Sequence, residues 1–204
     1  MKTKNIIFDW SGTLCDNLSP YLWVLEKMFN ELGREMISLE EMQREYNVPY
    51  MLFYNKYFPK LTQEKQRELY HKYVIQAPKA DLFSGVKETL ELLREKDIKL
   101  FVLSHDLYCM LNEEAKREGV HHLFEEFFGE TIDKHIDMPK IFKKHKLKKG
   151  ETLYIGDTVG DVAAAKHNKV RSGGISWGYQ NRKVLADSNP DILLDQIEDI
   201  FKYI

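Results

Sequence analysis

Asp9, Ser104, Asp157 and Asp161 are the residues whose types and placement first suggest chemistry in this 204-residue chain. Asp9 closes the apolar run Asn5 to Phe8, Ser104 closes Lys99 to Leu103, and Gly156-Asp157 closes Thr152 to Ile155. Short apolar runs bounded by turn residues read as buried strands. In open α/β sheets, ligands bind beyond the carboxyl ends of the strands, so these groups should converge on one crevice. Asp9, Asp157 and Asp161 together would crowd several carboxylate oxygens, which normally calls for a hard cation such as Mg²⁺. A purely local alternative has Asp157 capping a helix that begins near Val159, with Asp161 in its first turn answering the helix dipole.

The elements needed to position these residues are legible around them. After the first strand, residues 19–79 are rich in aromatic, Met, Glu and Lys residues at helical spacing, for example Tyr21, Leu25, Met28 and Leu32, with breaks near Pro49 and Pro59. Ser84 reads as the cap of a helix carrying Val86, Leu90 and Leu93. Further helices are expected around Leu107 to Ala115, Lys140 to His145 and Val159 to His167, with strands at Thr152 to Ile155, Arg171 to Ser176 and Ile192 to Leu194. This alternation predicts an α/β fold, a Rossmann-like, doubly wound parallel sheet. The expected division is a core from residues 1–16 and 81–204, with a small helical cap, 17–80, inserted after strand 1.

Composition narrows the function further. Asp and Glu number 32 against 30 Lys and Arg, which leaves no broad electrostatic footprint for nucleic acid or an anionic membrane. Cys15 and Cys109 lie far apart, without disulfide-framework or zinc-site spacing, and fit a reducing compartment. The N-terminus is too poor in apolar residues for a signal peptide, and no run approaches the roughly 20 residues of a membrane span. The expectation is a cytoplasmic protein, monomeric or homodimeric, with no nucleic-acid or membrane partner.

Asp9-Trp-Ser-Gly-Thr-Leu-Cys-Asp16 resembles the first motif, DxDGTLxD, of the haloacid dehalogenase superfamily. Ser104 stands where its second motif ends, Lys134 about where its lysine falls, and Gly156-Asp157-Thr-Val-Gly-Asp161 is similar to its GDxxxD motif. Lys140 competes with Lys134 for the lysine role, and the spacing to Asp157 favours Lys134. The resemblance implies that Asp9 attacks phosphorus to form an aspartyl-phosphate that water then hydrolyses. It also implies Mg²⁺ held by Asp9, Asp157, the backbone carbonyl of Ser11 and Asp161 through water, while Lys134 and the Ser104 hydroxyl hold the remaining phosphoryl oxygens of a small phosphorylated metabolite.

Ser11 departs from the pattern, because the family's phosphatases place there a second aspartate that protonates the leaving alcohol and then activates water. Proton transfer of this kind contributes typically about 10²- to 10⁴-fold, so its loss would raise the barrier by roughly 3 to 5 kcal/mol for a poor leaving group. Phosphonoacetaldehyde hydrolases carry a small residue at this place in a DWAGT motif, similar to the DWSGT here, and use a cap lysine as a Schiff base. Lys27, Lys56, Lys60, Lys65 and Lys72 include no marked candidate for that role. A further alternative is a catalytically impaired relative that keeps only a phosphate pocket. The stretch Ile175 to Tyr179, followed by Leu185-Ala-Asp and Pro190-Asp, is similar to the tail of phosphoglycolate-phosphatase-like members and tilts the reading toward a phosphatase.

His105, next to Ser104, could reach the crevice to bind substrate or partly replace the missing proton-transfer group. The pair His121-His122 has no carboxylate at ligand spacing and reads as loop surface. Trp177 and Tyr179 read more readily as packing over the sheet edge than as substrate contacts. The stripe Tyr46, Tyr50, Phe53, Tyr54, Tyr57 and Phe58 could line a substrate pocket or a dimer contact, but reads first as core of the helical segment, which needs bulky side chains to form any core at all.

Overall fold

Alternate residues of the first strand face opposite ways, and both ways are buried. In the computed structural model, which describes residues 2–46 and 49–204, Ile6 and Phe8 of β1 (Asn5–Phe8) join one hydrophobic cluster and Ile7 joins another. A strand covered on both faces must be apolar throughout, which explains a continuous run rather than an alternating one.

β1 pairs in parallel with β2 (Lys99–Leu103) on one side and β4 (Thr152–Gly156) on the other, Asn5 lying opposite both Lys99 and Thr152. β3 (Phe124–Phe128), β5 (Arg171–Ile175) and β6 (Ile192–Leu194) complete a six-stranded parallel sheet of order β3-β2-β1-β4-β5-β6. The chain order therefore reverses beside β1, and the gap between the ends of β1 and β4 is the switch point at which such sheets bind ligands.

Four helices follow β1: α1 (Leu18–Glu31), α2 (Leu39–Glu45), α3 (Met51–Tyr57) and α4 (Gln63–Val74). They bury a hydrophobic cluster of their own, centred on Leu25, Met28, Phe29, Phe53, Tyr54 and Leu69. α1 packs against α4. The remaining helices are α5 (Val86–Glu95), α6 (Tyr108–Arg117), α7 (Lys134–His145), α8 (Val159–His167) and α9 (Arg182–Asp187).

Two local expectations need correction, and β3 adds a strand beyond those expected. Ser84 does not cap α5: the N-cap is Gly85, at a φ of 77° that favours glycine, and it makes no side-chain cap hydrogen bond. β3 carries Glu125 and Glu126 among its phenylalanines, so it lacked the uninterrupted apolar run of the other strands. Asp157 is not the cap of α8; Thr158 is, accepting a hydrogen bond from the Asp161 backbone while the Asp161 carboxylate accepts from Thr158 N. No helix among the described residues is long and apolar enough to cross a membrane.

Candidate active site

Asp9 leaves the end of β1 with its backbone N–H donated to Ile155 O at 2.8 Å, so the ladder between β1 and β4 fixes where its carboxylate starts. Lys134, the first residue of α7, extends beneath it. Its Nζ lies 2.9 Å from Asp9 Oδ1, an ion contact lacking hydrogen-bond angles, and donates to Asp161 Oδ1 at 2.7 Å. All three residues are buried. Lys140, by contrast, sits exposed on the outer face of α7, 2.5 Å from Asp137.

Asp161 is saturated with donors. Its Oδ1 also accepts from Tyr154 Oη at 2.8 Å, and its Oδ2 accepts from Thr158 N at 3.1 Å and Thr158 Oγ1 at 2.6 Å. Burial alone would raise its pKa, but Lys134 and these hydrogen bonds hold it below the ordinary carboxylate range. Such a residue orients Lys134, and its full hydrogen-bond complement fits a role toward a cation through water.

Asp157 is the opposite case. Its Oδ2 accepts from Tyr179 N at 2.7 Å, while its buried Oδ1 has no partner among the described residues. Burial, then the charges of Asp9 and Asp161, push its pKa well up. Asp9 is likewise raised, to about 7, by burial and by Asp161 and Asp106 against the opposing pull of Lys134. An orphaned buried carboxylate oxygen needs a partner. One ligand atom from each of Asp9, Asp157 and Asp161 falls within 4.8 Å of the others, and an all-oxygen set of this kind fits a hard divalent cation.

Two glycines make this crowding possible. Gly12 adopts a φ of 74°, and a Cβ there would collide with the Asp157 carboxylate; a Cβ on Gly178 would collide with the Asp157 side chain and with Gly12 O. The loops after β1 and β5 therefore close directly over Asp157.

Ser11 and Ser104 also meet. Ser11 Oγ donates to Asp106 Oδ2 at 2.5 Å and accepts from Asn17 Nδ2, while Ser104 Oγ donates to the same Asp106 oxygen at 2.7 Å. His105 turns its Nδ1 onto Thr131 O and leaves a buried Nε2 without a partner among the described residues. Burial and the neighbouring Lys134 lower its pKa to about 4, so it is a neutral imidazole near pH 7.

A cavity of about 100 Å³ is lined by Asp9, Ser11, Ser104, Asp106, Lys134 and Asp157, with His105, Thr158, Asp161 and Tyr179 also at its wall. Its far wall comes from α1 to α4 and the chain between them, including Tyr21, Tyr46, Tyr50, Tyr54, Arg67 and Tyr70. Part of the aromatic stripe expected to be core is thus cavity wall, while Phe53 and Tyr57 are core as expected. Tyr179 is not mere packing: it stacks on Tyr21 with ring centroids 5.2 Å apart, and its hydroxyl donates to Asn17 Oδ1 at 2.8 Å. Trp177 does pack, against Phe83, with Nε1 donated to Thr13 O. His121 stacks on Phe127, away from the site.

Sequence reasoning missed Asp106, Asn17 and Arg67, and it ranked the pocket-lining reading of Tyr46, Tyr50 and Tyr54 below core packing. Only Asp106 carried a signal, since it lies two residues beyond Ser104 in the same strand-end loop.

Comparison with known proteins agrees with this arrangement. The chain is 26% identical over 219 residues to a phosphoglycolate phosphatase of Vibrio parahaemolyticus, covering 98% of this chain and 96% of that protein. It is 23% identical to a pyrophosphatase of Listeria monocytogenes, covering 98% and 95% respectively. A haloacid dehalogenase-like hydrolase from Streptococcus pneumoniae shares the fold, with a TM-score of 0.85 at 22% identity and 98% coverage of both chains. The family model for haloacid dehalogenase-like hydrolases matches residues 6–175, and this chain belongs to that family.

Proposed function

We propose that this protein is a Mg²⁺-dependent phosphatase that acts on a small phosphate ester through an aspartyl-phosphate on Asp9. The observation that carries the reading is the meeting of Asp9, Asp157, Lys134 and Ser104 around one cavity at the switch point of the sheet. Bound Mg²⁺, held by Asp9, Asp157, the Ser11 carbonyl and Asp161 through water, would neutralise carboxylate and phosphoryl oxygens that otherwise repel.

The chain's own residues do the rest. Asp9, anchored by the sheet, presents an oxygen to phosphorus, and Lys134 stays protonated because Asp161 and Asp9 outweigh the effect of burial. Its ammonium is then available to a phosphoryl oxygen. The Ser104 hydroxyl can turn from Asp106 to donate to a second. We read residues 17–80 as a cap and residues 1–16 and 81–204 as the catalytic core. The separate hydrophobic cluster of α1 to α4 and their tyrosines over the cavity support that division. Such a cap excludes water from phosphoryl transfer and chooses the substrate.

A carbon–phosphorus hydrolase of the Schiff-base type would need a lysine from the cap in the cavity. Among the described residues Lys134 is the only lysine lining it, and Lys56, Lys65 and Lys72 are tied to surface glutamates. Hydrolysis of p-nitrophenyl phosphate, with and without Mg²⁺, tests the reading. Turnover should require Mg²⁺ and vanish in Asp9→Asn; metal-independent turnover that survives the substitution would refute it.

A further inference from the structure

We propose that Asp106, reaching in from β2, supplies the proton-transfer carboxylate that position 11 lacks, with the Ser11 hydroxyl relaying the proton. The inference rests on the phosphatase reading above and completes it. β2 is the direct neighbour of β1, so the loop after it can place a carboxylate beside residue 11 although the chain there is far away in sequence. Asp106 Oδ2 lies 2.5 Å from Ser11 Oγ, close enough for the two residues together to occupy the place of one aspartate.

The hydroxyl is held for this task. Asn17 Nδ2 donates to Ser11 Oγ, which directs the serine proton toward Asp106. Asn17 is itself fixed by Gly12 N at 3.0 Å and by Tyr179 Oη at 2.8 Å, both donating to its Oδ1. Ser11 thereby uses one donor and one acceptor site and keeps a further lone pair for an incoming proton. Asp106 also faces open space. It lines the catalytic cavity and a second one of about 390 Å³ that shares Ser11, Tyr21 and Tyr70 with the first. Asp106 rather than His105 is the group in contact with Ser11: its carboxylate accepts the Ser11 hydroxyl, whereas the His105 ring meets Thr131 O.

The proton balance closes over one cycle, in which Asp106 gives up one proton through Ser11 and receives one back by the same route. As Asp9 attacks phosphorus and the ester P–O bond breaks, the leaving oxygen takes the Ser11 proton and Ser11 takes the proton of Asp106. Water then attacks the phosphorus of the aspartyl-phosphate and gives a proton to Ser11, which passes its own to Asp106. The bond between phosphorus and the Asp9 oxygen breaks, releasing phosphate and returning to Asp106 the proton it gave up.

The test compares an alkyl phosphate with p-nitrophenyl phosphate, both with Mg²⁺, in the wild type and in Asp106→Asn. Alkyl phosphate turnover should fall by about 10²- to 10⁴-fold. With p-nitrophenyl phosphate the variant should release a burst of about one p-nitrophenolate per active site and then turn over slowly, since the phosphoenzyme forms but lacks a base. Ser11→Ala should show the same burst even if Asp106→Asn folds poorly, and Ser11→Asp introduced into Asp106→Asn should restore alkyl phosphate turnover. A merely structural Asp106 would give equal losses on both esters and no burst, which would overturn the proposal, as would undiminished turnover in Asp106→Asn. An inactive wild type would sink the phosphatase reading itself, whereas an active wild type beside an unaffected variant sinks only the relay.

Discussion

The floor and the roof of the catalytic cavity are built on different principles. The floor is made of charged side chains from the ends of β1 and β4 and the first turns of α7 and α8, each held by named partners: Asp9 by Lys134, Asp161 by four hydrogen bonds, Asp157 by Tyr179 N. The roof is a layer of tyrosines from α1 to α4 and their connections, meeting one another mainly by ring contacts, such as Tyr21 with Tyr46 and Tyr50 with Tyr54. Chemistry restricts which residues can serve in the floor and at what spacing. Packing asks of the roof only bulk and an apolar face, which many sequences satisfy. The floor should therefore be intolerant of substitution and the roof adjustable.

The largest expected effect breaks the floor. Lys134→Met leaves Asp9 and Asp161 buried without their cation, and uncompensated buried charges of this kind cost about 3 to 5 kcal/mol. Denaturant unfolding should show that loss at neutral pH without Mg²⁺; a variant as stable as the wild type would mean that the lysine does not hold the floor together.

Asp157→Asn should divide stability from metal binding. The amide oxygen can still accept from Tyr179 N and the unpaired charge is removed, so the metal-free variant should melt no lower than the wild type. The stabilisation by Mg²⁺, about 2.7 kcal/mol when the ion is at a hundred times its Kd, should disappear. Retention of the full Mg²⁺ shift would remove Asp157 from the metal site.

Roof substitutions should sharpen the contrast. Tyr46→Ala takes away a wall residue that meets Tyr179 edge-on at 5.4 Å but touches no floor carboxylate in the contacts above. Its kcat/KM should change by up to about tenfold, differently for different phosphate esters, which corresponds to roughly 1.4 kcal/mol. The Mg²⁺ shift should stay as in the wild type. A uniform loss across esters together with a lost Mg²⁺ shift would show that roof and floor are one unit.

The smallest effect lies behind the floor. Glu114 accepts from Trp10 Nε1 at 2.8 Å, and burial, opposed by that bond, raises its pKa from 4.5 to about 7. The folded state thus favours neutral Glu114, a contribution complete below about pH 4.5 and lost as the pH rises through about 7. Between about pH 5 and pH 8 the wild type should lose on the order of 1 kcal/mol that Glu114→Gln retains. Parallel pH profiles of stability for the two proteins would contradict this assignment.

The same contrast explains what the sequence disclosed. β1, β2, β4 and α8 announce themselves because two-sided burial demands continuous apolar strands and because catalytic spacing is rigid. The charges of Glu125 and Glu126 masked β3, and Gly85 opens α5 through its backbone conformation, so the polar Ser84 beside it misled. Ser11 was visible as a departure. Its partner Asp106 was not, because the two meet only through strand pairing across 95 residues. Tyr46 and Tyr54 are indistinguishable in spacing from Phe53, so sequence cannot separate wall from core.

The central claim is that Asp9 carries the phosphoryl group, and the most direct measurement is acid quenching of the protein during turnover with Mg²⁺ and p-nitrophenyl phosphate, followed by mass mapping of its peptides. The account predicts a phosphoryl group on Asp9, absent in Asp9→Asn and accumulating in Asp106→Asn. Turnover with no covalent label, or with the label on another residue, would contradict it.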